Sequence, residues 1–302
     1  MKAYNRKLYP FESNWINIDG NQMHYIDEGH GETILFSHPP LGSSFMYRDF
    51  FKELKNRYRC IAIDYPGFGL SIANETYKPT IEGQSTLLEK FIFRLKLKAV
   101  FLLGHDTGGP SAFGVAINYP ELFKGLILTD TIIYPVSEYK RISNMLGIVG
   151  SHLFTWLNAK TNFLVKFTFK YGVRTRRLSR LERAEYGLMF GTSKKRRLIT
   201  QMLYNLKESE TFMRKIRQGF ETTLNSKPTL LIYGENDPVK KLGIADRINR
   251  LMPNSKLFLI NEEGHFPHEG QPKQMSEIIH IWIEGVPDTS ASNTRVGLVS
   301  MS

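Results

Sequence analysis

The feature that most constrains this chain is the stretch Val100 to Asn118, VFLLGHDTGGPSAFGVAIN. Its opening apolar run, Val100 to Leu103, has the length of a buried parallel strand, and the small-residue segment that follows reads as a helix. Between them, Gly104-His105-Asp106-Thr107-Gly108 has the small-x-nucleophile-x-small pattern of a strand-to-helix elbow. Glycines there let two backbone segments crowd together while the central side chain is pushed out above the sheet. That central residue is Asp106. A carboxylate at this point faces the unpaired N–H groups and the positive dipole end of the helix, which keeps it ionised and ready to attack. An aspartate that only caps an ordinary helix fits the same pattern, so the stretch needs partners elsewhere in the chain.

The rest of the chain supplies a frame for it. Trp15 to Ile18 and Met23 to Asp27 alternate as a hairpin around Gly20-Asn21, an antiparallel edge to the sheet, after a loose leader at Met1 to Tyr9. Strands at Thr33 to Ser37, Arg59 to Asp64, Val100 to Leu103 and Gly125 to Thr129 alternate with helices at about Phe45 to Leu54, Ile81 to Leu95 and Gly109 to Tyr119. This rhythm implies βαβ units and a mostly parallel sheet with helices on both faces. It stops at Thr131 and resumes at Thr229 to Gly234, followed by helix Leu242 to Met252, strand Lys256 to Ile260 and helix Lys273 to Glu284. The expectation is an α/β core of residues 1–133 and 226–286, a helical cap of residues 134–225 inserted after the sixth of eight strands, and a disordered polar tail at 287–302. Such an insertion lies over the carboxyl ends of the strands, where open α/β sheets place their sites.

Charge is uneven along the 302 residues. Between Pro135 and Ser226 there are 18 Lys and Arg against 6 acids, so the cap carries essentially all of the net charge of +11. A solvated basic face is one reading; contact with an anionic substrate or membrane surface is another, because Phe163, Phe167 and Phe169 interleave with the lysines. No nucleic-acid-binding motif accompanies the charge. Cys60 is the single cysteine, so neither an intrachain disulfide nor a cysteine metal site is available. No apolar run approaches the roughly 20 residues of a membrane span, and the polar N-terminus does not read as a signal peptide, so a cytoplasmic enzyme is expected. The oligomeric state stays open.

Two more strand ends carry chemistry. Gly234-Glu235-Asn236-Asp237-Pro238 follows the strand after the cap, and Glu262-Glu263-Gly264-His265-Phe266 follows the last strand. With Asp106 they give the chain order nucleophile, acid, histidine. Together with Ser37-His38-Pro39-Pro40 and Asp64-Tyr65-Pro66-Gly67-Phe68-Gly69, these motifs resemble the haloalkane dehalogenase and epoxide hydrolase branch of the α/β-hydrolase superfamily over Trp15 to Glu284. The resemblance implies a small-molecule substrate and a covalent ester on Asp106. Water activated by His265 then hydrolyses that ester, with Asp237 orienting the histidine and no metal or organic cofactor taking part. Asp130, at the end of the strand after the elbow, stands where some members of the branch place the histidine's acid, and it remains an alternative to Asp237.

The departures from the branch concern the leaving group. Similar haloalkane dehalogenases carry a tryptophan directly after the nucleophile and often an asparagine two residues after the histidine of the His-Gly motif; this chain has Thr107 and Pro40. Neither offers an indole or amide donor to a halide, which leaves Trp156 of the cap. Nor do Thr107 and Ser111 supply the arginines of fluoroacetate dehalogenases. Epoxide opening instead needs an acidic O–H or N–H, for which Tyr204 and His152 are candidates, with His38 a further substrate contact. The missing halide donors favour an epoxide or another strained oxygen electrophile over a haloalkane. An oxyanion hole takes the N–H groups of Thr107 and Leu41, since Pro39 and Pro40 have none. A ligand-binding protein that kept the fold and the triad is the alternative of another class.

Overall fold

Around the elbow strand the sheet builds outward in both directions. The computed structural model describes residues 4–287, and among these one sheet contains eight strands. They are β1 Asn14–Ile18, β2 Asn21–Glu28, β3 Thr33–Ser37, β4 Arg59–Ile63, β5 Val100–His105, β6 Phe123–Thr129, β7 Thr229–Gly234 and β8 Ser255–Ile260, in the spatial order β1-β2-β4-β3-β5-β6-β7-β8. The β1–β2 and β2–β4 pairs are antiparallel, and every other pair is parallel. Every residue of β3, β5 and β7 is buried, which is why these segments read as unbroken apolar runs. Register brings the carboxyl ends level: His105 pairs with Thr129, Thr129 with Ile232, and Gly234 with Ile260. The turns that carry Asp106, Asp130, Asp237 and His265 therefore open on one edge.

The helices are α1 Arg48–Leu54, α2 Ile81–Arg94, α3 Gly108–Asn118, α4 Lys140–Gly150, α5 His152–Thr161, α6 Phe163–Gly172, α7 Arg180–Met189, α8 Ser193–Glu208, α9 Glu210–Glu221, α10 Pro238–Lys241, α11 Ile244–Leu251, α12 Pro267–Gly270 and α13 Pro272–Glu284. Side-chain oxygens cap several of them, Thr80 on α2, Ser151 on α5 and Thr192 on α8, while Ser179 and Glu182 form a full capping box on α7. Helices α4 to α9 fill the interval between β6 and β7. The last of these, α9, packs on α3, with the Phe220 ring 5.2 Å from that of Phe113, so the insertion ends in the layer of core helices.

Two expectations change. From Tyr4 onward the leader is tied down, because the Tyr4 hydroxyl bonds Ser43 Oγ at 2.9 Å and that of Tyr9 bonds Ser44 Oγ at 2.7 Å, with both rings buried against Phe45; residues 1–3 lie outside the described residues. The helix expected from Phe45 begins as a 3-10 turn at Ser44–Tyr47 before α1. Residues 288–302, nearly all of the expected tail, lie outside the described residues.

Buried charge fastens the cap to the core. Arg48 on α1 is fully buried and donates to both oxygens of Glu269 on α12 and, at 2.6 Å, to Glu182 on α7. Arg176 pairs with the same two carboxylates, and the Tyr186 hydroxyl donates to Glu269. Burial raises the Glu182 carboxyl, but hydrogen bonds from Arg176 and the Ser179 N–H, with the Arg48 charge, outweigh it and hold the group well below its usual range. Removing one member of such a buried set typically costs about 3–5 kcal/mol, because its partner is left charged and dry.

Candidate active site

Asp106 adopts φ +47°, a left-handed conformation that non-glycine residues seldom take. The surroundings impose it. The Asp106 N–H donates to Thr129 O at 3.1 Å, and its carbonyl accepts from Gly109 N–H at 3.0 Å and from the Thr131 hydroxyl at 2.5 Å. The turn is tight enough that a Cβ on Gly104 would lie 2.5 Å from Gly109 Cα, and one on Gly109 would collide with Thr131. Small residues on both sides of Asp106 are thus a packing requirement, and the strained turn lifts the carboxylate into a partly open space, its side chain 22% exposed.

His265 meets it from the loop after β8, with Nε2 at 3.4 Å from Asp106 Oδ2. Its other nitrogen, Nδ1, donates to Asp237 Oδ1 at 2.8 Å. Asp237 is fully buried and doubles as N-cap of α10 through Oδ2 and the Lys240 N–H, with Pro238 in the first helical position. Burial pulls the His265 imidazole down, but Asp237 and then Asp106 raise it further, and the net result is a value well above its ordinary one.

Asp130, also in a left-handed conformation at φ +45°, stands beside this pair and makes no bond to the histidine. One oxygen each of Asp130 and Asp237 and a nitrogen of His265 lie within 4.8 Å of one another. Asp130 Oδ1 accepts the Gly234 N–H at 2.9 Å, and Oδ2 is buried with no partner among the described residues. Burial, and then the neighbouring Asp237, push its carboxyl well above the usual range. Behind His265 lie the buried rings of His105 and His268, centroids 4.6 Å apart, both held well below the ordinary histidine value, chiefly by burial. They give the imidazolium an uncharged wall.

The remaining candidates divide. Thr107 and Leu41 are buried, and neither N–H is taken by another group among the described residues, whereas Gly42 N–H is spent on Pro39 O in a turn. The Thr107 hydroxyl is likewise buried without a partner. His38 is corrected: fully buried, it donates from Nδ1 to Pro39 O at 2.8 Å and accepts the Tyr65 N–H on Nε2 at 3.0 Å, so both nitrogens brace loops and neither is offered to a substrate. Trp156 and Tyr204 are 55% and 40% exposed, His152 is exposed, and none has a hydrogen bond or ring contact with the triad. Tyr204 packs instead over Gly150 of α4.

Glu263, in the sequence no more than part of a turn, holds the histidine loop to the cap. It is fully buried, and its carboxylate accepts the N–H groups of Arg174 at 3.1 Å, Thr175 at 2.8 Å and Gly264 at 3.0 Å, and the Thr175 hydroxyl. The Phe266 N–H adds a bond to Gly172 O at 3.1 Å. No local signal marks this residue, since its partners lie nearly ninety positions upstream.

An elbow aspartate, a histidine between two acids and two free N–H groups form a set for displacement at carbon followed by hydrolysis. The family defined by the alpha/beta hydrolase fold matches residues 32–272. Haloalkane dehalogenase 2 of Mycobacterium tuberculosis (strain H37Rv) is 29% identical over 274 residues, 90% of this chain and 95% of that protein. A cis-3-alkyl-4-alkyloxetan-2-one decarboxylase of Shewanella oneidensis is 31% identical over 189 residues, 61% of this chain and 59% of that protein. The solved structure of haloalkane dehalogenase DbeA from Bradyrhizobium elkani superposes with a TM-score of 0.82 at 20% identity, covering 91% of this chain and 98% of that one, a likeness of fold. The chain belongs to the α/β-hydrolase superfamily and is an enzyme of that fold, similar over nine-tenths of its length to haloalkane dehalogenase 2.

Proposed function

We propose that this enzyme hydrolyses a small electrophilic organic molecule through an ester on Asp106, and that carbon–halogen displacement is the first reaction to test. The observation that carries the proposal is the line Asp106–His265–Asp237, with 3.4 and 2.8 Å between the charged atoms, rooted in a left-handed elbow. One Asp106 oxygen attacks an sp³ carbon in line; the C–O bond forms, the carbon–halogen bond breaks, and halide leaves with the bonding pair. Water then gives a proton to His265 Nε2 and attacks Asp106 Cγ. The tetrahedral oxyanion takes the Thr107 and Leu41 N–H groups, the alcohol departs with the proton from His265, and the acid proton left on Asp106 passes to His265 to restore the carboxylate.

Full-length similarity to haloalkane dehalogenase 2 supports halide over the epoxide that the sequence favoured. The epoxide preference also leaned on Tyr204 and His152, which make no contact with the triad. A strained oxygen ring is the second reading, favoured by Thr107 and Pro40 in the halide-donor positions and by the relative whose name specifies an oxetan-2-one.

The test is intact-protein mass spectrometry of His265→Gln after exposure to a panel of bromoalkanes, epoxides and oxetan-2-ones. An added alkyl group on a peptide containing Asp106 supports the halide reading, and retained oxygen supports the ring. Adducts on other residues, or none with any electrophile that the wild type consumes, refute the Asp106 ester.

A further inference from the structure

Exposed apolar surface on this protein is concentrated on one part of the cap. Ile148 on α4, Leu153 and Trp156 on α5, and Phe163, Phe167 and Tyr171 on α6 are between 46% and 75% exposed. They do not arise from a loose helix. α4 and α5 press their other faces on α8, and the outer α6 rings form a ladder, Phe163 to Phe167 at 5.5 Å and Phe167 to Tyr171 at 4.7 Å. A monomer's surface rarely gathers so many large apolar groups unless something covers them.

Charge identifies the cover. From Lys140 to Leu181 the chain has nine Lys and Arg and no Asp or Glu. Lys160, Lys166 and Lys170 are exposed among the aromatic rings, and Lys170 Nζ lies 4.9 Å above the Tyr171 ring. Between α6 and α7 a cavity of about 890 Å³ sits at the edge of this face, with Val165 and Phe169 in its floor and Lys166, Lys170 and Arg177 around it. A second copy of the chain is a poor match: a two-fold contact would set this acid-free surface against itself, cation to cation. Aromatic groups that enter a headgroup layer, ringed by long cationic side chains that stay at its surface, match a membrane carrying anionic lipid.

We propose that the α4–α6 face of the cap docks on an anionic lipid bilayer, with Trp156, Phe163 and Phe167 entering the headgroup layer and the lysines pairing with lipid phosphates. The cavity beside them takes a headgroup.

Co-sedimentation of the whole chain with vesicles of phosphatidylcholine alone, or mixed with phosphatidylglycerol, tests the docking. Binding should require phosphatidylglycerol, weaken as salt rises, and shift Trp156 emission to the blue. Lys160→Gln/Lys166→Gln/Lys170→Gln should weaken it on the order of 100-fold, three surface charges each being worth about fivefold. Phe163→Ser/Phe167→Ser, its helix content checked by circular dichroism, should abolish the blue shift. Equal binding to both vesicles, no binding at low salt, or a solution dimer that Phe163→Ser/Phe167→Ser dissolves would each overturn the proposal. So would binding of glycerol phosphate without binding of vesicles, which would assign the cavity to a free phosphate.

Discussion

Replacing Glu263 by Gln tests whether the cap is strapped to the histidine loop through one carboxylate. Oε1 accepts from the Thr175 N–H and hydroxyl, and Oε2 from the Arg174 and Gly264 N–H groups. An amide keeps one accepting oxygen; with its NH₂ turned toward Thr175 the hydroxyl rotates to accept from it, and one buried N–H is left facing a donor. One buried donor left unpaired costs about 1–3 kcal/mol, and the strap loses about that much. Arg174, Arg176 and Arg177 lie in the freed segment, which makes trypsin a direct probe. Where opening and closing outpace cleavage, the nicking rate follows the open population and should rise roughly fivefold or more. Thr175→Val removes the hydroxyl alone and should act in the same direction with a smaller effect, and activity should fall in both because His265 lies two residues from Glu263. If Glu263→Gln is nicked at the wild-type rate and denatures in urea within about 0.5 kcal/mol of wild type, the strap does not exist as described.

Three substitutions and one titration follow from the site. Asp106→Asn should abolish covalent turnover while leaving thermal unfolding nearly unchanged, a result read by product formation and calorimetry. Asp237→Asn should lower kcat on the order of 10⁴-fold by releasing the imidazole, whereas Asp130→Asn should cost far less, because Asp130 bonds the Gly234 N–H and not the imidazole; equal losses would return the orienting role to Asp130. His265 faces Asp106, Asp237, Asp130, His105 and His268, and its folded value is raised. The stability it contributes is therefore fully present below about pH 6.5 and is lost as pH rises through that folded value. Melting temperature measured from pH 6 to 9 should fall more steeply in the wild type than in His265→Gln.

The order of strands and helices was legible because buried parallel strands leave unbroken apolar runs and helices leave the 3.6-residue period, and both survive in a single sequence. The placing of Asp106, Asp237 and His265 was legible for a related reason: they stand in the turns after β5, β7 and β8, and register carries all three turns to the same edge. What the sequence hid lies at right angles to the chain. Arg48 sits in a helix whose charges look solvated, and its partners come from α7 and α12, 134 and 221 residues on. Tyr4 and Tyr9 read as a leader until Ser43 and Ser44 are folded beneath them. Tyr204, His152 and Trp156 were chosen by residue type, and residue type does not say which way a cap helix is rotated. His38 shows the converse: a loop histidine offers two nitrogens on paper, and here the backbone uses both.

The charges around His265 also order the proposed cycle in time. Before reaction the imidazole is flanked by Asp106 and Asp237, and the pair holds its proton against the pull of burial. Forming the ester erases the Asp106 charge. Burial, and the neutral His105 and His268 rings, then act against a single remaining anion, so the proton's affinity falls at the moment when a base is needed. Hydrolysis of a haloalkane releases one proton overall, and on this account it leaves with the halide, ahead of the alcohol. Stopped-flow experiments at pH 7 with a weakly buffered indicator should show acidification in the same phase as halide release. His265→Gln, which forms the ester with no imidazolium to discharge, should release halide without acidification. A wild-type proton that appears only with the alcohol would mean that His265 is already neutral in the free enzyme, and the electrostatic ordering would be wrong even if the ester itself were found.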